Sequence, residues 1–397
     1  MGSHNSLNPD TRGDPGPPLE REPAHLNGSA PLRQIRVPLI GARGSRYQVG
    51  YEHGRQAADL VRGTLGWSFD QLAERGIDRA TGLRLAGVLL EVVRGSTPSL
   101  VEEVQGIADG ARMTLLEAAL INARFELLFL EGNSLPTPTQ PRGECTIFGI
   151  AGGRTIDGDP IIGQNVDLGP ESRPYWIMLD VTPEGGPRLL TATMAGMLAQ
   201  EGINDAGLAL CGSMVRCAGW RTGYPTRKFL RRLVLEQPSV AKAVELIRSA
   251  PRRASSHNLM LADAAGRVVD VETTVDEVRV IEPEAGVIAH SNHYLSPDFV
   301  RENGCIGDYR FNTAARFERM AELLRTAEGP LTVERLAGFL RDHSGGNRSI
   351  CRHGEIDEAG SETNVAVISE PAKGRIHVAF GPPCETAFTT YEIPISR

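Results

Sequence analysis

Much of what marks membrane, disulfide-stapled or nucleic-acid-binding proteins is missing from this 397-residue sequence. No apolar run reaches the ~20 residues that cross a bilayer, so no membrane partner is expected. The start, Met1-Gly-Ser-His-Asn-Ser6, lacks the basic-then-apolar order of a secretory signal, which points to the cytoplasm. The net charge is −7 with no basic stripe, which argues against nucleic acid as a partner. Cysteine is scarce: the six, Cys145, Cys211, Cys217, Cys305, Cys351 and Cys384, make no disulfide framework in a chain this long. No CxxC pair occurs, and the spacing rules give no structural zinc site; five of the six thiols read as small buried apolar residues. No GxGxxG or phosphate loop joins a strand to a helix, and no internal repeat recurs. No cofactor and no metal is expected.

What is present suits a large core, since 41% of the residues are apolar. Residues 1–33, rich in Pro and Gly with scattered charge, read as a disordered leader, with order starting near Ile35. Residues 46–131 read as helical. Within them Leu83 to Val93 is apolar all round, which predicts a buried helix, and Pro98 predicts a helix start. Thr114 and Glu117 form a capping-box pattern. From Gly132 to Gly143 three prolines predict an exposed, irregular connection.

After it the period changes to that of strands. They are predicted at 146–150, 160–162, 176–181, 188–192 and 208–210, then at 259–262, 268–272, 278–281 and 287–289, and finally at 364–368, 375–380 and 387–391. Helices are predicted at 225–235, 239–249, 312–327 and 332–342. Hairpins alternating with helical pairs imply an α+β protein, with antiparallel sheets and helices packed outside them.

Cys145 sits where the proline-rich connection meets the first strand, a place that predicts an accessible thiol. A thiolate is a strong nucleophile but needs a base at neutral pH. No papain-type signature surrounds it. If the Glu144–Cys145 bond were cut, the new α-amino group, with an ordinary pKa of about 8, could serve. Position alone favours a buried structural cysteine.

The motifs decide between them. Gly143-Glu-Cys-Thr146 followed by Gly163-Gln-Asn-Val-Asp167 resembles the isopenicillin-N acyltransferase family of N-terminal-nucleophile hydrolases. Tyr51–Gln56, Asn122–Glu126, Ser256-His-Asn258, His290-Ser-Asn-His293 and Gly381-Pro-Pro-Cys-Glu385 are similar to further family segments in the same order. The resemblance spans residues 35–395. Glu144 stands where the family usually has Gly, and Val166 where an aromatic is common.

The resemblance implies a four-layer αββα sandwich and an autocatalytic cut before Cys145. A mainly helical α chain (34–144) and a catalytic β chain (145–397) would then stay associated. It also implies acyl transfer from a small-molecule amide or acyl donor, through a thioester on Cys145, to water or an amine acceptor. Asp167 would hold or orient the freed amine, and Asn258 would donate to the oxyanion. Thr146, Asn165, His257, Asn292 and His293 would support the site, with Asn165 holding the Asp167 turn. Ser349 resembles a family serine near the nucleophile, and Arg310 and Arg352 could meet a substrate carboxylate. The His257, His290 and His293 group reads as a loop scaffold ahead of a metal site. Two alternatives stay open: an unprocessed Cys-His hydrolase using His257 or His293, and an inert binding protein on the same fold. The Arg- and Ala-rich composition fits a bacterial source and specialised metabolism.

Overall fold

The computed structural model describes residues 31–129, 144–215, 225–250, 252–303, 308–355, 357 and 360–396. The predicted leader up to residue 30 and the proline-rich connection lie outside the described residues. Arg33, the last residue of that predicted leader, bridges Thr386, next to Glu385 late in the chain.

Two sheets carry the fold. The first has six strands. They are β2 (Glu144–Ile150), β3 (Ile161–Leu168), β11 (Val287–His290), β12 (Glu362–Glu370), β13 (Arg375–Phe380) and β14 (Thr389–Glu392), in the order β11-β2-β3-β12-β13-β14. The second has eight. They are β1 (Leu39–Gly44), β4 (Trp176–Pro183), β5 (Leu189–Met194), β6 (Glu201–Asn204), β7 (Leu208–Ser213), β8 (His257–Asp263), β9 (Val268–Thr273) and β10 (Val278–Ile281), side by side in that order.

The sheets face each other, with β2 and β3 against β7 and β8. Strands such as β2, β3 and β8 are buried at every position because each face meets another layer. Helices α6 (Arg227–Leu235) and α7 (Val240–Ser249) cover the eight-stranded sheet, and α8 (Asp308–Thr326) and α9 (Val333–Leu340) cover the other. The result is the expected four-layer αββα arrangement. All pairings are antiparallel except β1 with β4, which run parallel. The fully antiparallel expectation fails there because a long crossover returns the chain in the same direction. Among the described residues no helix is long and apolar enough to cross a membrane.

Five N-terminal helices extend the outer layer: α1 (Arg46–Gln56), α2 (Ala58–Ala73), α3 (Arg79–Ser96), α4 (Pro98–Ala111) and α5 (Leu115–Phe129). Pro98 occupies the first turn of α4, and Thr114 and Glu117 make the expected reciprocal cap of α5. Helix α3 is not buried all round. Leu89, Leu90 and Val93 face the core, while Val88 is 43% exposed. The two N-terminal motifs serve one loop. His53 accepts from Gly196 N–H at 3.0 Å, and Asn122 takes Leu198 N–H at 3.0 Å and gives to Gly196 C=O at 2.9 Å. Burial pushes His53 down to about 3, so it stays neutral and can accept.

Helices α1 and α4 cross at glycines. A Cβ on Gly106 would lie 2.2 Å from the Tyr47 carbonyl, and one on Gly54 would lie 2.2 Å from the Ile107 carbonyl. Gly106→Ala should therefore lower the unfolding free energy by the ~1–3 kcal/mol of an overpacked core, seen as an earlier urea midpoint. An unchanged midpoint would show that the two helices can separate without cost.

Candidate active site

The register of β2 on β3 sets the site. Glu144 lies opposite Asp167, Cys145 opposite Val166, and Thr146 opposite Asn165. Opposed residues share a face and successive ones alternate. Glu144 and Asp167 therefore look out toward α8, and Cys145 looks inward toward β7.

Cys145 is the second residue of β2 and only 8% exposed, so the accessible thiol expected from the sequence is corrected to a buried one. The strand starts earlier than its apolar pattern suggests because Glu144 is itself buried in ion pairs. Sγ lies 4.0 Å from Gly212 C=O and 4.0 Å from Gln164 Nε2. Gln164 is fixed by accepting from Gly212 N–H at 2.7 Å. Burial pushes the thiol up to about 12, and the carboxylates of Asp167 and Glu201 add to this against Arg231 and Arg227. In the uncut chain the sulfur is thus a thiol at neutral pH.

The backbone on either side is held more tightly than the sulfur. Cys145 N–H donates to Asn292 Oδ1 at 2.9 Å, and Arg316 Nη2 donates to the same oxygen at 2.9 Å. Asn292 Nδ2 gives to Met214 C=O at 3.0 Å, which fixes the amide's orientation. Cys145 C=O accepts from Ser291 Oγ at 3.1 Å and Arg316 Nη1 at 2.5 Å. Thr146 Oγ1 takes a further Arg316 bond at 3.1 Å.

Glu144 is 2% exposed and ion-paired to Arg316 at 3.0 Å and to Arg352, which also pairs with Asp357. These cations let a charged residue precede Cys145 inside the fold, since an unpaired buried carboxylate would be costly. Asp167 accepts from Thr363 Oγ1 at 2.7 Å. Burial raises it to about 7, opposed by Arg316 and the Thr363 bond.

Other expected residues lie elsewhere. Asn258 Nδ2 donates to Asp270, and among the described residues no hydrogen bond from its amide to Cys145 is recorded. The pattern could not reveal this, because Asp270 arrives from the neighbouring strand β9. Asn165 Nδ2 donates to Leu340 and Ile350 carbonyls, both at 2.9 Å, and so ties β3 to the loop after α9. Ser349 Oγ donates to His343 C=O at 3.0 Å and caps a turn. Arg310 stacks over Phe311. His293 meets Thr313 Oγ1 at 3.0 Å and the Phe317 edge, and burial holds it near 3, neutral. His257 is buried, and burial with the Arg227, Arg231 and Arg253 charges outweighs its Ser255 backbone bond and holds the imidazole well below its ordinary range. Neither imidazole is recorded against the sulfur, which disfavours the Cys-His reading.

His290 bonds Glu272 at 2.9 Å and Ser291 C=O at 2.8 Å, and is raised to about 9, with the Asp270 and Glu272 carboxylates outweighing burial. Glu272 also takes Leu295 and Ser296 N–H. This network shapes the loop that carries Asn292.

Sequence reasoning missed Arg316, Ser291, Thr363, Gln164 and the buried Arg231–Glu201 pair at 3.0 Å. Gln164 stood inside a quoted motif. Arg316 sat in a run of ordinary helical charge, and nothing local distinguished it.

Comparison with known proteins adds to this geometry. Residues 154–385 match the family described as acyl-coenzyme A:6-aminopenicillanic acid acyl-transferase. A relative from Emericella nidulans, the acyl-coenzyme A:6-aminopenicillanic-acid-acyltransferase 40 kDa form, is 25% identical over 351 residues, which cover 87% of this chain and 92% of that protein. Among solved structures, a mutant conjugated bile acid hydrolase from Clostridium perfringens aligns at TM-score 0.42 and 15% identity, over 62% of this chain and 97% of that one. Penicillin V acylase from Agrobacterium tumefaciens aligns at 0.42 and 14%, over 64% and 88%.

Asp167 yields a pH signature. Its carboxyl ionises near 3.8 ordinarily and near 7 here, so between those values unfolding releases a proton and stability falls as pH rises. In an uncut Cys145→Ala chain, Asp167→Asn should raise the thermal midpoint at pH 7 to 8, by a few kcal/mol at most, about 1.4 per pKa unit. The gain should shrink toward pH 4. A gain independent of pH would place the ionised form in the fold.

Proposed function

The chain belongs to the acyl-coenzyme A:6-aminopenicillanic acid acyl-transferase family, and on that premise we propose an autoprocessed cysteine enzyme in which Cys145 supplies both nucleophile and base. The observation that carries the reading is what lies beside the sulfur. It is the backbone nitrogen of the same residue, aimed at Asn292 Oδ1, and no imidazole among the described residues.

Processing runs in two steps. Sγ attacks the Glu144 carbonyl carbon, the thiol proton passes to the Cys145 nitrogen, and the C–N bond breaks to leave a thioester. Water then cleaves the thioester, giving a Glu144 carboxylate and a free amine and thiol on Cys145. Asn292 Oδ1 would keep its hold on that nitrogen, and Asp167, across from Glu144 on β3 and coupled in charge to Cys145, would orient it. In turnover the amine takes the thiol proton as sulfur attacks an acyl carbonyl, then gives it to the departing group. The resulting thioester passes its acyl group to an amine or to water. The proposed donors are small amides or acyl thioesters, and no step calls on a cofactor.

Glu144 acquires a second meaning here. Arg316 and Arg352 hold its carboxylate in the fold, and such a pair of guanidiniums suits a substrate bearing a carboxylate near the scissile bond. The two fragments should remain together, because β1 of the first pairs with β4 of the second and α5 packs on α6.

Intact-mass analysis under denaturing conditions tests the proposal. The unsubstituted chain should give fragments ending at Glu144 and beginning at Cys145, and Cys145→Ala should stay whole. Asn292→Leu should slow processing by about 10²–10³, the usual effect of losing one aligned polar partner in such a step. A single uncut but active species would overturn the α-amino base.

A further inference from the structure

A second cluster of reactive side chains lies outside the machinery described so far. His343 follows α9, Cys351 and His353 precede β12, and Cys384 follows β13. Their ligand atoms all lie within 4.8 Å of one another. Cys351 Sγ is 3.6 Å from Cys384 Sγ, Cys384 Sγ is 3.3 Å from His353 Nε2, Cys351 Sγ is 3.9 Å from the same nitrogen, and the two His Nε2 atoms are 3.1 Å apart.

These are four of the six edges of a tetrahedron that could surround one metal, and the two from His343 to the sulfurs lie within 4.8 Å. With Zn–S of about 2.3 Å and Zn–N of about 2.0–2.1 Å, tetrahedral angles give edges of about 3.8 Å for S–S, about 3.5 Å for S–N and about 3.3 Å for N–N. The ring carries a further sign. His353 turns its other nitrogen, Nδ1, to Glu385 Oε1 at 3.4 Å, the carboxylate contact that orients and strengthens a ligating imidazole. A two-sulfur, two-nitrogen tetrahedron selects zinc among common metals. A two-iron cluster would hold the histidines and cysteines on separate irons, whereas here Cys384 sulfur lies against a His353 nitrogen.

We infer that His343, Cys351, His353 and Cys384 bind one Zn²⁺ in a closed structural site. The absence of CxxC spacing hid it, because the ligands come from two connections, that between α9 and β12 and that between β13 and β14. The ion would staple those loops, and two of its ligands flank Arg352, the residue paired with Glu144. It is thus a positioning site for the cleavage region, not part of the acyl chemistry, and it does not depend on the proposed processing.

The test uses the full chain, purified without chelator and without a histidine tag, in both its native form and as Cys145→Ala. Elemental analysis should find about one zinc per chain in each, since structural zinc binds very tightly at pH 7. Cys384→Ser should lose it. Should that variant fail to fold, Co²⁺ added to the chelator-treated parent decides: strong visible d–d bands with thiolate-to-cobalt charge transfer are expected. Zinc far below one per chain with no cobalt spectrum would overturn the site, as would a Cys351–Cys384 disulfide in the protein as isolated. Zinc in an unsubstituted chain that stays uncut would sink the proposed processing and leave this inference standing.

Discussion

One buried guanidinium holds the region around the Glu144–Cys145 bond. Arg316 reaches from α8 to the Cys145 carbonyl, Thr146 Oγ1, Asn292 Oδ1 and Asn312 Oδ1, and pairs with the Glu144 carboxylate. A fully buried cation must have every donor satisfied, and only the planar fork of arginine offers that many directions at once. Helix α8, strand β2 and the loop after β11 are therefore locked in one relative placement. Asn292 then has a single orientation available to it, with its oxygen on the Cys145 nitrogen.

The two faces of β2 divide the work. The outer face carries charge: Glu144, Asp167, Arg316 and Arg352. The inner face carries the sulfur, with Gln164 and Gly212 beside it and the Arg231–Glu201 pair behind. Burial on the inner face keeps the thiol protonated while the chain is whole. Such a sulfur reacts only where its proton has an adjacent acceptor, and the account assigns that acceptor to the residue's own nitrogen. Withdrawal of the segment before Cys145 would both create the base and open the pocket.

Much of the fold was legible because its strands are apolar runs bounded by turns. Strand β13 was read at its true limits, 375–380, and α7 to within a residue. Strand β6 was missed because its residues, Glu201 to Asn204, are half polar; those polar groups are spent on Arg231 and on capping α6. Strand β1 was missed as well, since its parallel partner β4 lies far along the chain. Cys145 and Asp167 were legible through the resemblance their motifs carry, and the structure sets both motifs on the paired strands β2 and β3. Asn258 and Asn292 could not be told apart, since each is an Asn in a polar stretch and only the partner across space decides. The histidines and cysteines after α9 were unreadable for the same reason.

The central claim is that one residue supplies both thiol and amine. A 1,2-aminothiol reagent such as a cyanobenzothiazole reports on that directly, because it condenses only where both groups sit on the same residue. Applied to the denatured protein, it should label the fragment beginning at Cys145 once, and applied to the folded enzyme it should abolish activity in step with labelling. Full activity from protein that takes no label would contradict the account.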